Sequence, residues 1–568
     1  MHFPAAMPRN SLYYTYEVFP YFHSAMDVIT DTATVTIVGA GPIGMTTALA
    51  LAEHGVQVIL ISVERQLSEG SRALVYTKRS MEILQAVGAA ESIMSKALPW
   101  THGNSIYKGK TVFRMASPTG EHDQFAPLNN LQQNFLEDFL LKKIQQNPDI
   151  EIRWGNKVVA TQQENNIVTL TINTPEGQYL HKSNWVIAAD GGRSPIREGM
   201  KLRMQGASYE GRFVIADIRI KLDYPTERLA FFSPDWNPGN TILMHREPDD
   251  IWRFDYQLDP SVSPEEALKP ENLSKAVNDQ LKMIGMDHLE WEMDWSTVYS
   301  ARALTLDNYV HNRIMFVGDA AHLLPIFGVR GANTGFQDAL DLSWKLAAVI
   351  QGWASEKLLE SYTFDRVGAA REIIAEAGKS TRFMAPPTEG FRLLRNAVLS
   401  LSLEHEFVRP LYHWRTSRPH AYTHSPLNSQ CDDNALMNEV TENGSLFPNY
   451  KTGDQYLYDH ITGHFSLIIF TEETQLDAVL VNEVNGLKKR GIPLKTIAFA
   501  MKGQNVQGAD QILPISIIDA NERYFAGNGT IYLVRPDHHI NGRWLQYREN
   551  IFINTFDQFL NSSQGVAV

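Results

Sequence analysis

Six residues constrain this chain more than any others: Gly39-Ala40-Gly41-Pro42-Ile43-Gly44. They follow a short alternating apolar run, residues 34–38, and open a helical pattern over residues 45–54 that Gly55 ends. A second apolar run of strand length, residues 56–61, leads to Glu64. Strand, glycine turn, helix and strand in this order pack into a parallel sheet. In such a unit Gly39 permits the tight turn, Gly41 lets the backbone approach a pyrophosphate, and Gly44 lets helix and strand pack closely. The helix N-terminus stabilises the anion. Glu64 is placed to accept from ribose hydroxyls. The motif predicts a dinucleotide site and does not by itself separate FAD from NAD.

The rest of the chain limits what such a site can serve. At 568 residues it exceeds the roughly 250–300 residues at which one hydrophobic core stops growing, so two or three domains are expected. A formal net charge of -13 with no Lys/Arg block repels phosphate backbones, and nucleic acid is not an expected partner. Cys431 is the only cysteine, which excludes an intrachain disulfide, a C-x-x-C pair and a multi-cysteine metal site. Redox work needs a bound cofactor. No apolar run approaches the roughly 18 residues of a membrane span, and residues 1–31 lack a signal-peptide core. No membrane association and a cytoplasmic location are the expectation.

Texture divides the chain. Residues 1–25 are aromatic and Pro-containing without periodicity, and read as a flexible arm or a mistaken start ahead of Met26; residues 1–31 are expected to form an N-terminal extension. Residues 32–200 carry the dinucleotide unit, a helical pattern over 131–144, alternating runs typical of antiparallel strands between 150 and 190, and a buried strand at 185–189. Residues 201–299 hold strand-like pieces, Pro-rich turns and one helical stretch near 263–284, and are expected to form an inserted sheet domain. The buried-strand texture returns at 313–317, followed by a helix over 336–350, so residues 300–375 resume the first domain. Residues 376–444 form a helical connector, and 445–568 a separate C-terminal domain.

Two further constellations follow buried strands. Asp190-Gly-Gly-Arg-Ser-Pro-Ile-Arg197 places two glycines where the chain must turn over a ligand. Gly318-Asp319-Ala-Ala-His322-Leu-Leu-Pro325 leads to Gly328-Val-Arg330-Gly331-Ala-Asn333-Thr-Gly335 at the start of a helix. Asp319 is placed to bind a hydroxyl-rich chain. The glycine-rich helix start offers backbone N–H groups and a positive dipole end, suited to negative charge on a flavin ring. Each taken singly is compatible with an ordinary turn.

In order and spacing, the three motifs resemble the class A FAD-dependent aromatic hydroxylases, the group of the para-hydroxybenzoate, phenol and hydroxyphenylpropionate hydroxylases. The resemblance spans residues 34–371 and is densest in Asn333-Thr-Gly-Phe-Gln-Asp-Ala-Leu-Asp-Leu-Ser-Trp-Lys-Leu346. Ser71-Arg72-Ala73, Arg79-Ser-Met-Glu82 and Gln133-Asn-Phe-Leu-Glu137 agree with it. It implies an α/β (α+β) protein with a Rossmann-like FAD-binding domain, an inserted substrate-binding sheet and a thioredoxin-like C-terminal domain. That last domain resembles the phenol hydroxylase branch through Thr530-Ile-Tyr-Leu-Val-Arg-Pro-Asp537 and Arg543. Without cysteines in a motif, it is left with packing, dimerisation to a homodimer, or covering the site.

Carried over residue by residue, the resemblance implies that Gly39, Gly41, Pro42, Ile43, Gly44, Glu64 and Arg65 hold the ADP half, with Arg72, Gln133 and Val158 nearby. Asp190 falls in the segment linked to FAD and NAD(P)H. Gly318, Asp319 and Pro325 hold the ribityl side, and Gly331, Ala332 and Asn333 face the pyrimidine end of the ring. The activity implied is hydroxylation of an aromatic, phenolic substrate with NAD(P)H and O2 through a flavin C4a-hydroperoxide. The alternatives are a monooxygenase on a non-phenolic substrate, by epoxidation or Baeyer-Villiger insertion, and a non-catalytic flavin-binding protein.

One departure stands out: many relatives read Gly-Gly-Gln-Gly where this chain has Gly328-Val-Arg330-Gly331. Arg330 is either a cation beside the flavin or the partner of an acid elsewhere. Tyr256 and Tyr299 lie on strands where alternation would aim a side chain into a substrate cavity. Arg330, Tyr256 and Tyr299 are the weak catalytic candidates, each more often a structural residue. His413, His420 and His424 lack an acidic partner at ligand spacing, so no metal site is expected. His322 is expected to support the Asp319 turn.

Overall fold

The computed structural model describes residues 9–23, 28–70, 72–325, 327–412, 418–429 and 440–560. Ser71, His413 and Cys431 lie outside the described residues. The first sheet runs, edge to edge, Val310–His311, Ile314–Phe316, Gly177–Ala188, Val28–Val38, Val58–Ile61 and Ile150–Arg153, with an antiparallel hairpin, Lys157–Glu164 and Ile167–Thr174, on the long strand Gly177–Ala188. The neighbours of Val28–Val38 are parallel to it, as a strand-helix-strand crossover requires. The apolar residues that mark the strands in sequence, among them Val35, Ile37, Val186 and Ile187, are fully buried between layers of helices.

The second sheet is larger than residues 201–299. Its order is His322–Leu323, Glu292–Thr305, Gln205–Arg219, Ile251–Leu258, Thr241–Arg246, Arg228–Phe232, His102–Tyr107 and Lys110–Ala116. Two strands therefore come from the preceding domain, and the long central strand pairs Gln205 with Thr305 beyond the expected boundary. Edge pairing of this kind joins residues over a hundred positions apart and leaves no local signal. Helix Pro270–Met283 covers one face, burying Leu273, Val277 and Leu281 against Val214, Trp252 and Phe254. The single helical stretch expected at 263–284 is two helices, Pro264–Ala267 and Pro270–Met283, because the residue before a proline leaves the α region.

The expected boundary at 375/376 falls inside one helix, Leu358–Met384, which a second helix, Glu389–Leu401, follows. The C-terminal sheet is ordered Gln511–Pro514, Leu494–Ala500, Phe465–Phe470, Ile531–Val534, Ile540–Trp544; the first three strands are parallel and the last two antiparallel. Residues 9–23, expected to be loose, are bonded to the body: Phe19 N donates to Arg65 O (2.7 Å), Asn156 Nδ2 to Phe22 O (3.1 Å), and Arg9 pairs with Asp294 (2.8 Å). Among the described residues no helix is long and apolar enough to cross a membrane.

A buried ionic cluster fastens the C-terminal unit to the first. Arg535 reaches Asp341 (3.2 Å), Asp365 (3.4 Å) and Asp537, while Lys345 bonds Asp341 (2.9 Å) and Asp365 (3.1 Å). Trp344 Nε1 donates to Asp537 Oδ2 (3.2 Å). Removing one partner strands the others in a low-dielectric interior at a cost of about 3–5 kcal/mol. Arg535→Ala is expected to lose about that much in urea unfolding; a loss below about 1 kcal/mol would show the cluster to be solvated.

Candidate functional site

Three turns converge at the C-terminal ends of the parallel strands. The first strand ends at Val38, and Gly39 takes a φ of +112°; a Cβ there would lie 2.3 Å from Ala189 O. Gly44 is as confined, with a would-be Cβ 1.9 Å from Gly39 O, whereas Gly41 has open space around it. Helix Pro42–Glu53 starts at Gly41 without a side-chain cap, so its first N–H groups face that space. An uncapped N-terminus carries a partial positive charge, and the open side of Gly41 admits a phosphate. Ile43 wedges against Gly318 and Gly335, joining the first turn to the third.

The second and third turns are joined by Arg197, which donates to Gly192 O (2.7 Å) and Ala320 O (3.1 Å). Asp190 Oδ2 accepts from Ile196 N (3.2 Å), and its Oδ1 is buried with no hydrogen bond. Burial pushes this carboxyl up to about 6, against the pull of hydrogen bonds from Ser194 and Ile196. Asp319 opens onto the cleft with protein packed around its other sides. Burial raises its carboxyl, and His322, Arg72 and Arg197 oppose the rise.

Under Asp319 lies a fully buried triad. Asp338 Oδ2 accepts from Gly318 N (3.0 Å) and bonds His322 Nε2 (2.6 Å), and Oδ1 accepts from Arg366 Nε (2.7 Å). Burial works to raise this carboxyl, but His322 and Arg366 hold it below the usual range. The expected support of the Asp319 turn by His322 is this bond. Neither Asp338 nor Arg366 is evident from the motif; the signal available was a carboxylate within the apolar stripe of helix Gly331–Ile350, between Phe336 and Leu342.

Asn333 acts through its side chain as well as its backbone. Its Oδ1 accepts from Thr77 N (2.9 Å) and Ser80 Oγ (2.6 Å), and its Nδ2 donates to Val75 O (2.9 Å) and Val329 O (2.7 Å). These bonds hold Val329 at a φ of +56°, a left-handed conformation that costs a β-branched residue about 1–3 kcal/mol. Val329 packs against Leu74, Val75, Trp100 and Leu128. The helix that opens at Gly331 and Ala332 has no side-chain cap.

Several expected contacts fall elsewhere. Arg65 donates from Nε to Phe19 O (2.9 Å) and lies over the Tyr21 ring, so it holds the N-terminal arm. Gln133 is engaged with the turn at 68–73: Oε1 accepts from Ala73 N (3.0 Å) and Nε2 donates to Glu137 (2.8 Å). It bears on the cleft through Arg72, which is exposed and close enough to act on Asp319. Val158 is a core residue. Glu64 is exposed beyond strand Val58–Ile61, and Pro325 is buried behind the third turn. Arg330 is buried, and its charge adds to that of His420 in holding the Glu372 carboxyl down.

Tyr256 corrects the expectation about the sheet. It packs with Trp252, Phe254 and Leu258 on the helix-covered face, its ring 5.7 Å from Trp236. Tyr299 is on the opposite face, paired in register with Phe213. Its hydroxyl is pushed up to about 12 by burial, with Asp319 adding and Arg302 opposing. Phe213 meets Phe327 of the glycine-rich loop edge to face at 5.2 Å. The sheet face that carries Tyr299 therefore looks onto the cleft.

Residues 32–377, more than half of the 568, match the family model of the FAD binding domain. The chain belongs to this family. A 3-(3-hydroxy-phenyl)propionate/3-hydroxycinnamic acid hydroxylase of Escherichia coli O8 (strain IAI1) is 27% identical over 366 residues, and its counterpart in Shigella sonnei (strain Ss046) is likewise 27% identical. Each alignment covers 64% of this chain and 64% of the relative, so the chain spans under two thirds of those relatives' length. Among solved structures, the flavin-dependent monooxygenase PieE, in complex with FAD and substrate, superposes with a TM-score of 0.81 at 20% identity. Aklavinone-11 hydroxylase with FAD and aklavinone gives 0.74 at 22%. Both cover 94% of this chain and 100% of the other, and at these identities they establish a shared fold.

The residues fit FAD. The open space at Gly41, the uncapped helix at Gly331, the unpartnered Asp190 Oδ1 and the cleft-facing Asp319 are features an empty turn does not need. Gly41→Ala is expected to keep the apoprotein's melting temperature yet weaken FAD binding about tenfold or more. Gly44→Ala should lower the melting temperature without FAD, since its Cβ has no room. Equal behaviour of the two variants in thermal melts and flavin titrations would contradict these roles.

Proposed function

We propose that this protein is an FAD-dependent monooxygenase that uses NAD(P)H and O2 to hydroxylate an aromatic, phenolic substrate. The observation that carries the reading is the apposition of the FAD-binding turns with an aromatic sheet face, made through Phe213, Phe327 and Tyr299. Gly39, Gly41 and Gly44 with the first helix hold the pyrophosphate, Glu64 the ribose, and Asp319 the ribityl chain. Bound FAD supplies the electron transfer and oxygen activation that no side chain can. The helix opening at Gly331 directs N–H groups and its positive end at negative charge developing on the ring. Phe213, Phe327, Phe383 and Met384 form an apolar cluster that keeps water from the reacting face.

The similarity to 3-(3-hydroxy-phenyl)propionate/3-hydroxycinnamic acid hydroxylases supports the substrate class. We also read the C-terminal unit as thioredoxin-like. Its β-α-β unit, followed by a third parallel strand, a helix, two antiparallel strands and a closing helix, supports this, and without redox cysteines its role is to pack on the helix Gly331–Ile350. A second copy of the chain is the partner proposed for the exposed Phe391, Leu393, Leu394 and Phe407, apolar side chains that a monomer leaves to water.

The purified yellow protein is expected to oxidise NADH or NADPH faster when a phenol from a mixed panel is added, with little peroxide released. FAD bound but no acceleration by any phenol would overturn the phenolic reading.

A further inference from the structure

The two faces of strand Ile251–Leu258 carry different chemistry. Trp252, Phe254, Tyr256 and Leu258 are buried against the helix, so alternation turns Arg253, Asp255 and Gln257 toward the first domain and its cleft. Arg253 is committed to Asp217: Nε donates to Oδ1 and the terminal nitrogen to Oδ2, both at 2.8 Å. Asp255 and Gln257 are not so engaged. Asp255 Oδ1 and Gln257 Oε1 are buried atoms without a hydrogen bond, although both residues are only half-buried. A buried acceptor left unmade costs about 1–3 kcal/mol, and native proteins keep few of them without a use.

The register places these acceptors beside an apolar floor. Asp255 stands opposite Ile215 and Gln257 opposite Phe213; on the next strand, Thr297 pairs with Ile215 and Tyr299 with Phe213. Three adjacent strands span about 9–10 Å, the width of one or two aromatic rings. Phe213 touches Phe327 of the glycine-rich loop, so this floor adjoins the loop that would hold the flavin ring. The charged and titratable groups facing Asp255 are Arg253 and Asp217, with Glu247 and His245 beyond them at the same end of the sheet.

We propose that Asp255, assisted by Gln257, anchors the substrate by accepting the hydrogen of a phenolic hydroxyl, so that the protein selects a hydroxylated ring over its methyl ether. The inference rests on the proposed phenol hydroxylation and deepens it by naming the recognising residues. Burial pushes the Asp255 carboxyl up to about 7, with Arg253 opposing and Asp217 adding. It can therefore hold or release a proton near neutrality.

The test uses FAD-loaded enzyme, titrated with 1-naphthol, 2-naphthol and resorcinol and with the methyl ether of each, following the flavin absorbance. Wild type is expected to bind the phenols about tenfold to a hundredfold more tightly than the ethers, as a hydrogen bond to a charged group implies. Asp255→Leu should bring that ratio to within about threefold. The near-isosteric Asp255→Asn should reduce it in part, with FAD content and melting temperature unchanged. No response to any probe, equal affinities in wild type, or a ratio preserved in both variants overturns the assignment. If Asp255→Leu does not fold, an unchanged ratio in Asp255→Asn overturns it. Phenol-stimulated NAD(P)H oxidation that persists with an unchanged ratio leaves the hydroxylase reading standing; a protein that takes up no FAD overturns both.

Discussion

The Asp338 carboxylate is the joint on which the site depends. Fully buried, it receives Gly318 N from the third turn, His322 from the strand beyond and Arg366 from the long helix Leu358–Met384. Arg366 continues to Thr334 O (3.1 Å) and the Tyr422 hydroxyl (2.9 Å). One acid thus fixes the height of Asp319 over the cleft, the start of the flavin-loop helix and the packing of the connector. With three hydrogen-bonding partners saturating it, one of them the Arg366 guanidinium, the carboxylate is held charged in the interior, which it could not be alone. Asp341 and Lys345 of the Arg535 cluster lie on helix Gly331–Ile350, as Asp338 does, so the C-terminal unit is fastened to the helix proposed to turn its N–H groups toward the cofactor.

The second sheet is organised by the same economy. Its helix-covered face is apolar and complete. Its other face is divided: Arg253 and Asp217 neutralise one another at one end, Phe213, Phe232 and Leu243 join Phe383 and Met384 in an apolar cluster at the other, and Asp255 and Gln257 sit between. The strained Val329 ties the glycine-rich loop to a different element: its carbonyl accepts from Asn333, and its side chain packs against Trp100 and Leu128 of the small sheet Val75–Thr77, Leu128–Asn130 and Leu98–Trp100.

Much of this was legible in the sequence where chemistry and local geometry coincide. Gly39, Gly41 and Gly44 announce a turn, a close approach and a tight packing because only glycine meets those demands, and Gly318-Asp319 announces itself in the same way. Residues whose roles depend on distant partners were not legible. Strands His102–Tyr107 and Lys110–Ala116 read as part of the first domain, yet pair with the second sheet. Arg65 reads as a cofactor ligand, yet holds residues 19–21. Tyr256 drew attention because alternation allows two faces and sequence does not say which faces the cleft; the helix Pro270–Met283 decides it. Asp338 interrupts an apolar pattern, a signal that marks a buried task without naming it.

The most direct test of the account is isotopic: the FAD-loaded protein, supplied with NADPH or NADH and a phenol that accelerates its oxidation, is run under 18O2 and the product weighed by mass spectrometry. The account predicts a product heavier by a single labelled oxygen atom, bound to ring carbon. Oxidation that yields only labelled peroxide and leaves the phenol unchanged, or a product whose oxygen comes from water, would contradict it.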